Sequence, residues 1–214
     1  MDLGFLEVLL PMLLEGLKLT LIIALAGIAC GTLIGSICGY WLQSGFRLGK
    51  MIAEVYIWII RGTPLMVQAL YGYYVIPKMM GLNLDSLTVG IMVIALNSGA
   101  FISEIVKGAL LGVDAGQKEA GMSLGLTKMQ TMLHVIIPPA FKSALPALFN
   151  QFIISVKDTA LLTVIAVNEI THQAQAYAAL SFKVVPTYTT LALFYLVMLS
   201  ILIVAQKQIE KKMR

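Results

Sequence analysis

The chain has 214 residues, of which 59% are hydrophobic and only 12% are charged. Because soluble domains carry about 25% charged residues, this composition excludes an ordinary soluble domain and indicates an integral membrane protein. The formal net charge of +4 is too small to indicate a nucleic-acid partner.

Five apolar segments have about the 20 residues that a helix needs to cross the hydrocarbon core of a bilayer. They cover approximately residues 16–42, 52–76, 87–111, 139–165 and 188–206. We therefore predict an all-α integral membrane protein with five transmembrane helices. Residues 1–214 are expected to form a single transmembrane domain without a linker.

The first predicted span carries small residues on one face. Ala24, Gly27, Gly31 and Gly35 follow each other at intervals of three or four residues. Helices in lipid associate through close packing, which small residues permit. The sequence leaves open whether this face packs on another helix of the same chain or on a second subunit.

Basic residues concentrate on one side of the membrane if the N-terminus lies outside. Cytoplasmic ends of transmembrane helices are enriched in Lys and Arg. With five spans and the N-terminus outside, ten of the fifteen basic residues fall on the inner side: Arg47, Lys50, Lys107, Lys118, Lys128, Lys142, Lys207, Lys211, Lys212 and Arg214. We predict this orientation, which places the C-terminus and residues 114–138 in the cytoplasm.

The second predicted span contains a helix-breaking sequence. Its four residues are Arg61, Gly62, Thr63 and Pro64. Proline lacks an N–H group and glycine is flexible, so the helix is expected to break here. The break either shapes a pathway or is a structural kink in which Arg61 forms a buried ion pair with Glu54 or Glu104. We favour the structural interpretation.

The polar segment between the third and fourth spans is expected to form two short helices. Asp114 is a candidate N-cap residue, with Gln117 placed to complete a capping box. A helix over about 115–124 would end at Gly125, which suits a left-handed C-terminal residue. Thr127 and Gln130 repeat the capping pattern for a second helix that runs toward residues 138–139.

Residues 119–138, EAGMSLGLTKMQTMLHVIIP, resemble the EAA signature of the permease subunits of bacterial ABC importers. The residues in register are Glu119, Ala120, Gly125 and Pro138, with Val135 and Ile137 as conservative replacements. Gly121 departs from the alanine that the family usually has. A second segment, IRGTPLMVQ (60–68), resembles the subgroup that carries polar amino acids. The resemblance extends over nearly the whole chain.

The resemblance implies the type I importer permease fold and a coupling role for this segment. Glu119, Ala120, Gly121, Gly125 and Pro138 would belong to a coupling helix region, about 114–138, that docks in a groove of an ATP-binding subunit. ATP and magnesium would bind to that subunit, and no cofactor is expected on this chain. The alternative is an interfacial amphipathic loop without a partner.

The same resemblance suggests substrate-contacting residues in two spans. Asn97 and Ser98 fall in a Leu-Asn-Ser-Gly-Ala pattern that is similar to one lining the central cavity of these permeases. Lys157, Asp158 and Thr159 resemble the family's KDTSL segment, which implies that Asp158 attracts the substrate ammonium and Lys157 its carboxylate. The alternative for Asn97 and Ser98 is that they form hydrogen bonds between helices. The alternative for the second segment is that Lys157 extends to the membrane interface while Asp158 caps the helix that follows.

Residues 168–186 are too polar to span a bilayer and are expected to form an external helix where a binding protein could dock. The two histidines, His134 and His172, fall on opposite sides of the predicted membrane. Neither a metal site nor a catalytic pair is therefore expected, and the chain is predicted not to be an enzyme.

The resemblance implies a multi-pass subunit of the bacterial cytoplasmic membrane that imports a polar amino acid. The expected partners are an ATP-binding subunit, an extracytoplasmic amino-acid-binding protein, and a second permease subunit in a homodimer or heterodimer. The alternatives are an ABC permease for another small solute, such as an opine, cystine or an organic cation, and an ATP-independent carrier or channel.

Overall fold

The computed structural model describes residues 4–213, which contain no strand. Arg214, one of the basic residues used to predict the orientation, lies outside the described residues. Four helical stretches are long and apolar enough to cross a membrane: Phe5–Gln43, Ser86–Leu111, Lys128–Ile165 and Val184–Lys211. The all-helical prediction is thus confirmed for this part of the chain.

The α-helices follow each other in this order: α1 Phe5–Gln43, α2 Arg47–Gly62, α3 Leu65–Leu70, α4 Ile76–Met80, α5 Ser86–Leu111, α6 Ala115–Ser123, α7 Lys128–Thr131, α8 Ile137–Asp158, α9 Ile170–Ser181 and α10 Val184–Met213. Two short π-helical segments, Tyr71–Val75 and Met132–Ile136, join α3 to α4 and α7 to α8. A 3₁₀ segment, Thr159–Ile165, continues α8.

The second predicted span is not one continuous helix. α2 ends at Gly62, Thr63 and Pro64 have extended backbone, and α3 begins at Leu65. Pro64 cannot donate to the preceding turn, and its ring disfavours helical backbone at Thr63. The segment therefore consists of two short helices with the interruption at the predicted residues, which is why it is not among the four continuous stretches found within residues 4–213.

Helices α1 and α5 are in closer contact than any other helix pair because glycines of α1 lie against the backbone of α5. Gly27, Gly31, Gly35 and Gly39 recur at every fourth residue and are all buried. A Cβ atom on Gly31 would lie 2.9 Å from the carbonyl oxygen of Ala95, and one on Gly39 would lie 2.7 Å from that of Ser103. The small-residue face of the first span thus packs within this chain, which resolves the alternative left by the sequence.

The polar segment after the fourth span forms α9, which packs between α1 and α10. Its apolar face contributes to a cluster made of Leu9, Leu13, Ile170, Ala174, Tyr177 and Leu191. The N-terminus of α9 is capped by the fully buried Glu169, whose carboxylate accepts hydrogen bonds from the backbone N–H groups of Thr171 (2.8 Å) and His172 (2.7 Å). Tyr195 of α10 donates to the same carboxylate at 3.3 Å, so one acid joins two helices.

The close packing of α1 on α5 predicts opposite effects for two glycine substitutions. Gly31→Ala should destabilise the protein by about 1–3 kcal/mol, because the new methyl group overlaps α5 backbone atoms. Gly108→Ala on α5 is the control: its Cβ meets nothing within 4 Å, so better helix propensity should leave stability equal or raise it by about 0.5–1 kcal/mol. Thermal unfolding in detergent measures both changes. Equal effects at the two sites would contradict the packing argument.

The capping carboxylate predicts a pH dependence of stability. Burial raises the pKa of Glu169 above its ordinary value, against the opposing effect of the hydrogen bonds that it accepts. A carboxyl group whose folded-state pKa is raised binds its proton more tightly in the folded protein, so its contribution falls as the pH rises through that pKa. The unfolding temperature of the wild type minus that of Glu169→Gln should decrease from about pH 4.5 upward. A difference that grows with pH would contradict this sign.

Candidate functional site

A cavity of about 240 Å³ lies between the broken second segment and helices α5 and α8. Its lining residues are Ile60, Arg61, Thr63, Leu65, Asn97, Phe101, Gln151, Ile154 and Asp158. Four of these side chains carry charge or an amide: Arg61, Asn97, Gln151 and Asp158. The cavity therefore offers one cation, one anion and two amides, together with the hydroxyl-bearing Thr63 and apolar side chains.

Arg61 reaches the cavity because α2 ends one residue after it. Its guanidinium lies over the ring of Phe101, 5.3 Å from the ring centroid, which is within the range of a cation–π contact. The predicted ion pair with Glu54 or Glu104 is wrong: those carboxylates lie 3.8 Å from Lys50 and 3.4 Å from Lys107 respectively. Each acid is paired with a lysine of its own helix, so neither pairs with Arg61, which lines the cavity.

The carboxylate of the cavity belongs to Asp158, at the point where α8 ends and a 3₁₀ segment begins. Asp158 is the last residue of α8, and the chain continues from Thr159 as a 3₁₀ segment. This 3₁₀ segment packs against α3, and both contribute to one apolar cluster through Leu65, Ala69, Leu162 and Ile165. Two helix interruptions, one in each segment, thus lie side by side at the cavity. Irregular backbone at membrane depth is tolerated only where it is buried or lines a cavity.

Of the five residues predicted to contact substrate, only Asn97 and Asp158 line this cavity. Ser98 is buried against α1, and its hydroxyl donates to the carbonyl of Ile94 at 2.7 Å. The fully buried Thr159 donates in the same way to Val156 at 2.8 Å. Neither hydroxyl faces the cavity, because a short hydroxyl on a buried helix bonds to the carbonyl of the preceding turn.

Lys157 also lies outside the cavity. It is exposed, whereas the neighbouring Asp158 is half-buried. Consecutive helical residues point about 100° apart, so only one of the two can face the site. Asp158, but not Lys157, lines this cavity, and a joint role of the two residues in substrate binding stays a prediction.

The sequence analysis missed Gln151 and assigned Arg61 a structural role. Gln151 lies seven residues before Asp158, two helical turns away and on the same face of α8. That spacing of a glutamine and an acid was the available signal. Its side chain is 4% exposed, and its Nε2 has no hydrogen-bond partner among the residues that the structure describes. A buried amide donor that faces a cavity is available to a ligand.

The predicted coupling segment forms two short helices joined by a tight turn. α6 ends in a Schellman motif, in which Gly125 has φ +82° and the N–H of Leu126 donates to Gly121 at 3.2 Å. The Thr127–Gln130 capping box is present, with contacts of 3.3 and 2.9 Å. Asp114 caps α6 as predicted, by accepting from the N–H of Gly116 at 2.6 Å, but Gln117 does not complete the predicted capping box.

Gly121 explains how the two short helices fit together. It is the buried residue of α6, and a Cβ atom there would lie 2.9 Å from Cγ2 of Thr131 on α7. Ala120 and Gly125 are exposed, and Pro138 lies in the first turn of α8. The departure from alanine at position 121 thus allows close packing within the segment.

The outer surface of the coupling segment combines apolar side chains with a carboxylate. Met122, Leu124 and Met129 are 47%, 83% and 60% exposed. Glu119 is exposed, and in the described part of the chain its carboxylate forms no hydrogen bond or ion pair; only its backbone carbonyl is bonded, by Ser123. It does not stabilise the segment from within and is free to contact another chain.

Residues 31–214 match the family described as binding-protein-dependent transport system inner membrane component. The glutamine transport system permease protein GlnP of Escherichia coli (strain K12) is 39% identical over 206 residues, or 96% of this chain and 94% of that protein. The arginine transport system permease protein ArtQ of Bacillus subtilis (strain 168) is 32% identical over 96% of this chain and 94% of its own length. The L-cystine transport system permease protein TcyB of the same organism is 32% identical over 95% of this chain and 87% of its own length.

Two solved structures are similar over nearly the whole length of both chains. A crystal structure of an amino acid ABC transporter with histidines has a TM-score of 0.91 and 33% sequence identity, and covers 99% of each chain. An inward-facing form of the MetNI methionine ABC transporter has a TM-score of 0.82 at 19% identity, and covers 97% of this chain and 99% of that one. At that identity the second likeness concerns the fold alone.

The turn at Gly125 predicts a local response to substitution. Gly125→Ala places a side chain at φ +82°, which costs about 1–2 kcal/mol and should loosen the connection between α6 and α7. Gly125→Asn should have a smaller effect, because asparagine tolerates this conformation. Hydrogen–deuterium exchange of peptides covering residues 115–131 should be faster in the alanine variant. Exchange that is unchanged in Gly125→Ala would contradict the assigned turn.

Proposed function

This chain belongs to the family of binding-protein-dependent transport system inner membrane components as a membrane subunit of an amino-acid ABC importer, and we propose that it carries a polar amino acid through the cavity at Arg61, Asn97, Gln151 and Asp158. The observation that carries this proposal is the presence of both signs of charge in one small cavity. A zwitterionic amino acid needs one cation for its carboxylate and one anion for its ammonium group.

Each polar group of the cavity has a distinct role in this proposal. The Arg61 guanidinium binds the substrate carboxylate, and Asp158 binds the ammonium group. The amides of Asn97 and Gln151 donate to or accept from the substrate side chain, which suits polar and uncharged groups alike. Asn97 lies near the middle of α5, so the cavity is at the depth where transporters bind their substrates.

The membrane arrangement in this proposal has five spans, with the broken α2–α4 segment as the second. The N-terminus lies outside and the coupling segment inside the bacterial cytoplasmic membrane, in agreement with the distribution of basic residues. An ATP-binding subunit docks on α6 and α7, where exposed methionine and leucine side chains surround the unpaired Glu119. ATP and magnesium bind to that subunit.

The complete transporter in this proposal contains a second permease subunit and an extracytoplasmic binding protein. Five spans are few for enclosing a pathway, and large apolar side chains are exposed on several helices, including Leu33, Trp58 and Val197. Some of these would face lipid and others the second subunit. Closure of the ATP-bound subunits would move the coupling segments and open the cavity outward, and hydrolysis would reset it inward.

Uptake of labelled amino acids into proteoliposomes tests the proposal. The liposomes contain this chain with the ATP-binding subunit and the binding protein that purify or are encoded with it. The panel includes glutamine, glutamate, arginine, histidine and cystine, since relatives of this chain are named for glutamine, arginine and cystine transport. The proposal predicts saturable uptake that stops without ATP. Uptake that does not depend on ATP would instead support a carrier or channel.

Substitution of the cavity carboxylate should impair substrate binding in the same assay. Asp158→Asn should raise KM about 10- to 100-fold, because a charge-assisted hydrogen bond contributes about 1.5–3 kcal/mol. Lys157→Gln is the control, since this exposed neighbour lies outside the cavity. An unchanged KM in Asp158→Asn, or an equal rise in both variants, would contradict the assignment of the ammonium site.

A further inference from the structure

Gln68 of α3 makes four contacts that join the helix interruption to the cavity wall. One N–H of its Nε2 donates to the carbonyl of Ile60 at 2.8 Å, and the other is shared between the carbonyl and the hydroxyl of Thr63, both at 3.0 Å. Its Oε1 accepts from Nδ2 of Asn97 on α5 at 3.4 Å. One side chain of α3 thus contacts the end of α2, the break itself and one of the polar residues of the cavity.

The contacts on the α2 side replace a missing backbone bond. In a continuous helix the carbonyl of Ile60 would accept from the N–H of residue 64, but that residue is proline. An unpaired carbonyl costs several kcal/mol where no water is present, as in a bilayer. Gln68 supplies the absent donor from the next turn, and so fixes the last turn of α2, which carries Arg61.

The contact on the α5 side restrains Asn97. One N–H of the Asn97 amide is directed to Gln68, so the plane of that amide is set and its Oδ1 is left for a ligand. α5 itself is held against α1 by the glycine contacts at Gly27 to Gly39. Gln68 therefore links the interrupted segment to α5, which packs closely on α1, at the point where the two form the cavity.

We infer that Gln68 is a positioning residue of the transport pathway: its amide holds the Arg61 turn and the Asn97 amide in a fixed relation, so that both sides of the cavity engage one substrate. The inference rests on the proposed function, since it assigns Gln68 a role at the same cavity. Gln68 does not line that cavity and acts through Ile60, Thr63 and Asn97.

The test uses the complete reconstituted transporter and three variants. Gln68→Met keeps the length of the side chain and removes its donor and acceptor. Gln68→Glu keeps the acceptor for Asn97 but directs a carboxylate toward the carbonyls of Ile60 and Thr63. Gln206→Met is the matched control, since its Nε2 also donates to a carbonyl, that of Pro146 at 3.4 Å, away from the cavity.

A positioning role predicts a rise in KM that is larger than the fall in maximal rate. Gln68→Met should raise KM for uptake about three- to tenfold, the size of one neutral hydrogen bond. Gln68→Glu should raise KM at least as much, because its carboxylate keeps an acceptor for Asn97 but loses the bonds that hold the Arg61 turn. Gln206→Met should leave KM unchanged. A role restricted to closing the helix break predicts a lower unfolding temperature in both Gln68 variants without a rise in KM.

A thermal double-mutant cycle tests the Gln68–Asn97 contact without transport. The effects of Gln68→Met and Asn97→Ala on unfolding should be non-additive, because each removes the same bond. Additive effects would overturn the contact, and an unchanged KM in Gln68→Met with intact uptake would overturn the positioning role alone. If the wild-type complex takes up no amino acid, the proposed function and this role both fall, whatever the cycle shows.

Discussion

A backbone carbonyl inside a bilayer needs a donor from the protein, and this requirement determines where the chain can depart from helical geometry. The interruption at Thr63 and Pro64 removes one helical donor, and the amide of Gln68 replaces it at 2.8 Å. After Asp158 the α-helix is replaced by a 3₁₀ segment, and this segment packs on α3. Because the two interruptions pack on each other and Gln68 bonds to the Ile60 and Thr63 carbonyls, the protein can expose Arg61 and Asp158 to one cavity.

The second requirement is a rigid reference for these interrupted segments. α1 and α5 provide it, since four glycines of α1 allow the two helices to touch along about three turns. Tyr56 of α2 adds a link to the same frame by donating its hydroxyl to the carbonyl of Leu96, next to Asn97. The cavity therefore has one wall on the closely packed α1–α5 pair, and its other walls are formed by the interrupted second segment and by α8.

Features that depend on local backbone chemistry could be predicted from the sequence. The break at Pro64, the left-handed Gly125 and the Thr127–Gln130 capping box each follow from a few neighbouring residues, and the structure contains all three. The direction of individual side chains could not be predicted in the same way. Ser98 and Thr159 match a resemblance to cavity-lining patterns, yet both hydroxyls bond to their own helix. Arg61 and Gln151 enter the cavity because of contacts between distant segments, and neighbouring residues in the sequence do not specify those contacts.

The central claim is that a polar amino acid binds between the two helix interruptions, with its carboxylate on Arg61 and its ammonium group on Asp158. The most direct measurement is a cryo-electron microscopy structure of the assembled transporter, trapped with its amino acid. The account predicts ligand density that contacts Arg61, Asn97 and Asp158 within hydrogen-bond distance, with Gln68 still bonded to the Ile60 carbonyl. Density for the amino acid at another place in the membrane domain, with this cavity empty, would contradict the account.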